Sequence, residues 1–573
     1  MFDLIIRGAE ICDGTGAPRR SGDIGISAGR IAELGHSAGT ARRELRADGL
    51  VAAPGFIDVH THYDCQVAWD PALTPSSWHG ITSVVMGNCG FTIVPCRPEP
   101  RELLMEMLLY VEGMPTEALR AGIRWEFETF PEYLDAVEHW RPSINVAAFV
   151  GHSALRYFVM GDAAVERQAT DAELARMQEL VREAMRAGAV GFSTSESPTH
   201  FFGSGVPVPS RVASREEIVA LGRVLGEFGR GIIEVAPLHL ISRNEDKLAD
   251  QEFYVALARA AGRPVTWAPL LANPFDAAGA LTVIDAAAAA QRAGAAVHPQ
   301  VGCRPLEVRI SFEHAGIAVA NNPFWKPILD LPRSERIARL RSRTFRDELR
   351  RMSSGGGFVA ALGPSWRQIF LRLTPHHEQQ GSIDRTIADI AAGRGADEVD
   401  TLLDLALESD LGAQFGIPIM NVDETVVGQL LRHPAGIVAL SDAGAHVDTL
   451  ADQGFTTTLL AHWVRELGVL ELEDAVRLIT SVPAALYGLA GRGLLRPGAA
   501  ADIVLFDPTR IALERTELIH DLPAGAARLI QRPIGIEHVL VNGEILIEHG
   551  TQTAARGGHV LRAGARGTTT TVP

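Results

Sequence analysis

The chain has 573 residues, of which 46% are hydrophobic, so it can build a large core. Its net charge of -16 and its pI of about 5.6 argue against a nucleic-acid partner, which requires a basic face. The 5 cysteines do not form a disulfide pattern, and we find neither a signal peptide nor an uncharged apolar stretch of about 18 residues. We therefore expect a cytoplasmic protein without a membrane span.

Both ends of the chain are rich in β-type segments. Short apolar runs at 3–7, 23–26 and 30–34 are separated by glycines. The segments 501–507 and 538–547 have the same character, and the second contains an Asn-Gly pair that is typical of a hairpin turn. We expect residues 1–52 and 491–573 to form one small β-sandwich domain, with a C-terminal tail.

The middle of the chain, residues 53–490, alternates apolar strands with amphipathic helices. A helix is predicted at 171–187, with Thr170 as its cap and Glu173 at the capping-box position. Strands are predicted at 188–193, 231–236 and 263–268, the last two separated by a helix. Repeated strand–helix units predict a parallel sheet, and at this length the leading closed form is an α/β (β/α)₈ TIM barrel.

One stretch of the middle region breaks this alternation. Residues from about 305 to 395 are rich in Arg, Ser, Gly and Pro. We expect this stretch to be an insertion or a lid over the mouth of the barrel.

Four side chains that can bind a metal lie at the ends of predicted strands. His60 and His62 follow the apolar run 56–59, Cys89 follows 81–86, and Asp442 follows 437–440. In a barrel, functional groups lie at the carboxyl ends of the strands, and residues two apart on a strand share a face. Two imidazoles, a thiolate and a carboxylate suit one divalent metal, zinc first.

The same set predicts a hydrolase. A bound metal lowers the pKa of its water to about 7, and a carboxylate can take the proton and pass it to the leaving nitrogen. Asp442 is the candidate for this role. The alternatives are a buried structural Cys89 and an Asp442 that only supports a Gly-rich turn.

Several segments resemble one protein family. The run 51–62 is similar to the first-strand signature of the amidohydrolase superfamily, and within it the chain most resembles the N-acyl-D-amino-acid deacylases (D-aminoacylases). Gly-Asn-Cys-Gly at 87–90, Val-Gly-His-Ser-Ala-Leu-Arg at 150–156, Ser-Asp-Ala-Gly-Ala-His at 441–446 and the stretch 494–504 match elements of that family. The resemblance implies a barrel with a β-sandwich, bound zinc, and hydrolysis of the amide bond of an N-acyl-D-amino acid.

The chain departs from this family at two mid-barrel strands. The family has a metal-binding His on each, but here the strands contain Glu-Val-Ala-Pro at 234–237 and Thr-Trp-Ala-Pro at 266–269, and His239 falls in the following loop. Lys247 and Lys326, the only lysines, are not on predicted strands, so a carboxylated lysine between two metals is not expected. We predict one zinc per chain, with Glu234 either replacing a missing ligand or serving as a buried structural carboxylate.

Three further residues are candidates for a supporting role. His152 and His446 can orient a substrate carbonyl or support a metal ligand, and Arg304 can bind a carboxylate. For each histidine a purely structural role is an equal alternative, and for Arg304 a surface ion pair is the alternative.

Three other functions compete with the zinc deacylase. The enzyme can act on a different amide, such as a cyclic amide or a carbamate. A serine hydrolase is a rival because Gly-His-Ser at 151–153 resembles the start of a nucleophile elbow, although the second glycine is missing. A barrel that binds a small ligand without catalysis is the third. We expect a small-molecule amide substrate; a homo-oligomer is compatible with the sequence but not required by it.

Overall fold

Eight parallel strands form the central sheet of the computed structural model, which describes residues 1–36, 39–99, 101–203, 205–239, 244–313, 325–354 and 365–564. In chain order these barrel strands are Phe56–Thr61, Ile81–Met86, Asn145–Gly151, Gly191–Ser195, Ile232–Ala236, Val265–Leu270, Val297–Val301 and Ile437–Val438. Each strand pairs in parallel with its chain neighbour. A parallel bridge from Thr61 to Ala443 joins the first strand to the segment that follows the eighth. The α/β TIM-barrel-like fold predicted from the sequence is confirmed at this level.

Helices separate the barrel strands along the chain. They are Arg101–Glu112, Thr116–Gly122, Phe130–Trp140, His152–Met160, Asp171–Ala187, Pro209–Val212, Arg215–Glu227, Asn244–Ala261, Gly279–Arg292, Glu424–Arg432, Phe455–Thr458, the π-helix Leu459–Glu466, Leu472–Leu478 and Ser481–Tyr487. None of the helices in the described ranges is long and apolar enough to cross a membrane.

The helix Asp171–Ala187 has the bounds that the sequence predicts. The Thr170 side chain accepts a hydrogen bond from the Glu173 backbone N–H, and the Glu173 carboxylate accepts one from the backbone N–H of Thr170, so the capping box is present. The strand predicted at 188–193 begins later, at Gly191, because Gly188 ends the helix in the left-handed conformation at φ 109°.

The two chain ends meet in one nine-stranded sheet. Its strands are Phe2–Ile11, Arg20–Ser27, Arg30–Gly35, Ala41–Arg46, Val51–Pro54, Ile503–Phe506, Ile536–Val541, Glu544–Glu548 and Thr551–Gln552. Val51–Pro54 pairs with Phe2–Ile11 on one side and with Ile503–Phe506 on the other, so the segment that leads into the barrel holds both ends together. The predicted Asn-Gly turn at 542–543 joins Ile536–Val541 to Glu544–Glu548.

A separate layer lies between the seventh and eighth barrel strands in the chain. Its three antiparallel strands, Leu306–Ser311, Phe370–Leu373 and Gln414–Met420, pack with the helices Lys326–Leu329, Arg333–Arg341, Arg343–Ser354, Ile387–Arg394 and Glu398–Glu408 around their own apolar core. The layer leaves the barrel at the carboxyl end of a strand, so it lies on the side where TIM-barrel active sites are built. Residues 314–324 and 355–364 of this stretch lie outside the described ranges.

Short two-stranded pairs complete the described structure. They are Phe201–Phe202 with Val206–Pro207, Ala512–Leu513 with Pro533–Ile534, and Glu517–Ile519 with Arg528–Ile530.

Candidate metal centre

The first barrel strand carries both imidazoles of the candidate site. His60 lies near the carboxyl end of the buried strand Phe56–Thr61, and His62 follows it directly. Their rings lie on the same side with centroids 5.5 Å apart, as the period of two predicts. The backbone N–H of His62 donates to the carbonyl of Ala443 at 2.7 Å. The end of the first strand is therefore fixed against the segment that carries Asp442.

Asp442 is held in place by a tight turn after the eighth strand. The Ser441 hydroxyl donates to the His60 carbonyl at 3.2 Å and accepts from the Ala443 N–H at 3.0 Å. Asp442 itself has φ 46°, a left-handed conformation that costs about 1–3 kcal/mol and is held by its surroundings. A Cβ at Gly444 would lie 2.6 Å from the His62 carbonyl oxygen, so only glycine fits there.

Cys89 lies on the loop that follows the second strand. It has φ 55° within the short 3₁₀ turn Asn88–Gly90. Its backbone N–H donates to Glu234 Oε2 at 2.7 Å, so a carboxylate from the fifth strand holds this strained residue. Glu234 therefore borders the site through its contact with the backbone of Cys89.

Three of the four predicted ligands form one cluster, and Asp442 lies beside its two imidazoles. His60, His62 and Cys89 offer ligand atoms that all lie within 4.8 Å of one another. The Cys89 Sγ lies 3.6 Å from His60 Nε2, and Asp442 Oδ1 lies 3.2 Å from His60 Nε2 and 3.7 Å from His62 Nε2. A tetrahedral zinc site with bonds of about 2.0–2.3 Å places neighbouring ligand atoms about 3.3–3.7 Å apart. These separations fit a small cation.

At this site, burial and the neighbouring charges shift the pKa values of the side chains in opposite directions. Burial lowers the pKa of His60 to about 4. Burial also disfavours a charged His62, but the carboxylates of Glu112 and Asp442 outweigh it and raise the pKa of His62 to about 9. For Asp442, burial is outweighed by the hydrogen bond with His62 and the charges of both imidazoles, so its pKa lies well below its usual range.

Two further acids at the site keep their protons. Burial raises the pKa of the Cys89 thiol well above its usual range, and the nearby carboxylates add to the effect. Burial also raises the pKa of Glu234 to about 8, despite the N–H of Cys89. A thiol must lose its proton to bind a metal, so a bound cation would reverse this state.

An unpaired buried atom supports the fit to a cation. Glu234 Oε1 is buried and has no hydrogen-bond partner among the described residues. Buried polar atoms without partners are uncommon and require an explanation, of which an absent ion is one. The donor set of two imidazoles, one thiol and one carboxylate is that of a borderline-soft divalent metal.

Two neighbours of the imidazoles were missed in the sequence. The Nδ1–H of His60 donates to Oε1 of Gln300, a residue of the seventh barrel strand, at 2.8 Å. Glu112, the last residue of the helix Arg101–Glu112, lies with its Oε1 3.3 Å from His62 Nδ1. A signal for Glu112 exists: Leu108 and Glu112 are four apart on the apolar face of that helix, so an acid falls at a buried position.

His152 lies in a structural ion-pair network and does not reach the cluster. Its Nε2 lies 2.9 Å from Glu217 Oε1 and its Nδ1 lies 2.8 Å from the Thr194 hydroxyl. Arg156 donates to the same Glu217 carboxylate at 2.6 Å. The structural alternative for His152 is therefore the one that the contacts favour.

The other supporting candidates have different surroundings. The Arg304 guanidinium pairs with Asp452 at 3.0 Å and donates to Gln531 Oε1 at 2.9 Å, in a half-buried position. His446 borders the site: its backbone N–H donates to the carbonyl of Glu112, and its charge acts on Asp442. Arg304 is thus committed to protein partners, whereas His446 is close to the cluster.

Among the described residues, Ser153 does not have the neighbours that the nucleophile of a serine hydrolase requires. The hydroxyl of Ser153 donates to the hydroxyl of Ser210 at 3.1 Å, and the neighbouring His152 ring is occupied by Thr194 and Glu217. Within the described ranges no imidazole hydrogen-bonds to Ser153, so no base is placed to activate it.

As the sequence predicted, the fifth and sixth barrel strands do not carry the metal-binding histidines of the N-acyl-D-amino-acid deacylases, the family that the chain resembles. Ala236 ends the fifth strand, His239 lies beyond it in the loop, and Ala268 lies on the sixth strand. Lys247 is in the helix Asn244–Ala261 and Lys326 begins the helix Lys326–Leu329, so neither is on a strand.

Known proteins with similar sequences and structures indicate the family of this chain. The sequence profile of the amidohydrolase family matches residues 44–547. An N-acyl-D-glutamate deacylase of Alcaligenes xylosoxydans xylosoxydans is 32% identical over 581 residues, covering 98% of this chain and 97% of the relative. One similar solved structure is that of N-acyl-D-glutamate deacylase from Bordetella bronchiseptica, in complex with zinc and a phosphonate that mimics the tetrahedral intermediate. Its sequence is 28% identical, and the TM-score is 0.67, with 98% of this chain and 100% of that chain covered. A D-aminoacylase with a binuclear metal centre is 27% identical with a TM-score of 0.67 over the same shares.

Proposed function

We infer the function from one premise: this chain belongs to the amidohydrolase family. It is a metal-dependent amidohydrolase that acts on carbon–nitrogen bonds other than peptide bonds. We propose that its substrate is an N-acyl-D-amino acid, from which water releases a carboxylic acid and the free D-amino acid. The observation that carries the proposal is the convergence of His60, His62, Cys89 and Asp442 at one edge of the barrel.

The proposed cofactor is one zinc ion per chain. His60, His62 and Cys89 would hold it, because their ligand atoms lie within 4.8 Å of one another. Asp442 would be the fourth ligand, because its Oδ1 lies 3.2 Å from His60 Nε2 and 3.7 Å from His62 Nε2. When bound, such an ion activates water for attack and polarises the amide carbonyl.

The residues of the chain supply the rest of the reaction. Asp442 has the side chain that is placed to take a proton from the attacking water and to give it to the leaving nitrogen, since 24% of its side chain is exposed while both imidazoles are almost fully buried. Glu234 accepts a hydrogen bond from the Cys89 backbone N–H and so holds this residue in position. Gln300 orients the His60 ring through Nδ1, which leaves Nε2 directed at Asp442.

The proposed stoichiometry differs from that of the D-aminoacylase described above, whose centre is binuclear. The reason is the donor set: the fifth and sixth strands offer Ala236 and Ala268 near positions where the family has histidines. Glu234 is the mid-barrel carboxylate that borders the site, and its Oε2 is occupied by the Cys89 N–H. A second ion would have few donors left.

A substrate panel tests the proposed reaction. We expect release of amine from N-acetyl-D-amino acids, measured in zinc-loaded protein, with the L-enantiomers as matched controls and a chelator-treated sample as the blank. Cyclic amides and carbamates in the same panel test the alternative substrates. Zinc-loaded protein that releases no amine from any member of the panel would contradict the proposal and favour a barrel that only binds ligands.

The proposal includes the division of the chain. We propose that residues 53–490 form the hydrolase barrel, with the insertion or lid predicted at about 305–395. In the structure the inserted layer continues beyond this range, to the strand Gln414–Met420. Residues 1–52 and 491–573 would form the small β-sandwich domain, and the nine-stranded sheet that both ends share supports this assignment. We propose a cytoplasmic location.

A further inference from the structure

Glu112 is a buried acid that the proposed chemistry leaves without a role. It ends the helix Arg101–Glu112, which follows the Cys89 loop, and only 3% of its surface is exposed. A buried carboxylate is costly unless it is paired. In the described part of the chain no Arg or Lys lies within ion-pair distance of it, and the side chain that it contacts is His62, with Oε1 3.3 Å from Nδ1.

The two nitrogens of His62 face different carboxylates. Nε2 lies 3.7 Å from Asp442 Oδ1, on the side where the ligand atoms converge, while Nδ1 faces Glu112. Metal-binding histidines commonly donate their other ring N–H to a carboxylate, which fixes the tautomer and makes the ligand nitrogen more basic. We propose that Glu112 is the positioning residue that orients His62 for the metal, an inference that rests on the proposed metal site.

Position and contacts separate this role from direct ligation. Glu112 contacts the nitrogen of His62 that points away from Asp442, so it acts through the imidazole. His60 has a corresponding partner on its own Nδ1, the neutral amide of Gln300, at 2.8 Å. The two imidazoles therefore have different partners: His60 has an amide and His62 has a carboxyl group.

The backbone around Glu112 fixes its position. Its carbonyl accepts the N–H of His446, four residues after Asp442. Gly113 follows with φ 63°, and a Cβ there would lie 3.3 Å from the His446 Cα, so the close approach suits glycine. Glu112 thus joins the helix after the second strand to His62 by its side chain and to the Asp442 segment by its backbone.

Zinc affinity of the full chain tests this inference, measured by competition with a chromophoric chelator. We expect Glu112→Gln to weaken zinc binding by about 10–100-fold and Glu112→Asp to recover part of the loss. Glu102→Gln is the matched control, because Glu102 is on the same helix, with 66% of its side chain exposed, and pairs only with Arg120 at the surface. The visible spectrum of the cobalt-loaded protein should change in Glu112→Gln and not in Glu102→Gln, while the thermal unfolding of the metal-free proteins stays the same.

Each outcome decides a separate point. Wild-type zinc affinity in Glu112→Gln would overturn the role of Glu112 and leave the proposed function intact. A wild-type chain that binds no zinc would instead remove the proposed function. Should Glu112→Gln fail to fold, Glu112→Asp takes its place, and wild-type affinity together with an unchanged cobalt spectrum in that variant would equally overturn the inference.

Discussion

Asp442 lies where two imidazoles converge, and its side chain is the one in the cluster with substantial exposure to solvent. The left-handed backbone at Asp442 directs this carboxylate toward the ring nitrogens and is held by the Ser441 hydroxyl and by the close contact of Gly444 with His62. Strain of this kind is typical of sites where position matters more than local stability.

Replacement of Asp442 by Asn tests its proposed proton transfer. The amide keeps the shape of the side chain but cannot accept and return a proton, so we expect turnover to fall by about 100-fold or more. Turnover is measured at saturating zinc with the metal content of each sample determined. Asp285→Asn is the control, because 74% of the Asp285 side chain is exposed and it pairs with His433, which is not one of the cluster residues. Normal turnover in zinc-loaded Asp442→Asn would rule out the role.

Some residues of the site can be predicted from the sequence and others cannot. His60 and His62 could be placed together because strand periodicity is local. Cys89 and Asp442 could be added because parallel strands bring their carboxyl ends to one edge. Glu112 and Gln300 could not be predicted from the sequence. Their contacts with Nδ1 of His62 and Nδ1 of His60 depend on how a helix and the seventh strand pack, which no short-range pattern encodes.

Among the helices, one buried ion pair ties two elements of the outer ring together. His152 and Arg156 on one helix both contact Glu217 on the helix Arg215–Glu227, and all three side chains are at most 4% exposed. Burial disfavours the charged Glu217, but His152 and Arg156 outweigh it and lower its pKa. The carboxylate is therefore charged and structural.

Removal of this carboxylate should destabilise the protein in a pH-dependent way. Glu217→Gln leaves the Arg156 guanidinium buried without its counter-charge, which costs about 3–5 kcal/mol. Because the folded pKa of Glu217 is lowered, its stabilisation is full above the unfolded pKa and is lost as the pH falls through the folded value. The difference between wild type and variant should be largest near neutral pH and shrink in acid.

Urea unfolding midpoints at neutral and acidic pH measure this difference. Glu216→Gln is the matched control, since Glu216 is the exposed neighbour on the same helix. A difference in midpoint between wild type and Glu217→Gln that stays constant with pH would contradict the assigned charge state.

Element boundaries were predicted best where a cap fixes them. The Thr170 capping box gave both the start and the type of the helix Asp171–Ala187. The following strand was predicted to begin three residues early, because the sequence does not say that Gly188 serves as the helix cap before the strand begins at Gly191.

At the scale of the whole molecule, the site depends on closure of the barrel. The first strand supplies two ligands and the segment after the eighth supplies another, and the Thr61–Ala443 bridge brings them together across nearly the entire chain. Repeated strand–helix units predicted this arrangement. The layer that begins at Leu306 was recognised only as a break in the pattern, because its antiparallel sheet and its core are formed by contacts between distant segments.

The proposed chemistry requires one cation between His60, His62, Cys89 and Asp442, and diffraction from zinc-loaded crystals at the zinc absorption edge would locate it. We expect a single anomalous peak per chain, within bonding distance of His60 Nε2, His62 Nε2, Cys89 Sγ and the Asp442 carboxylate. Two peaks of equal strength in each chain, or one peak away from these four side chains, would contradict it.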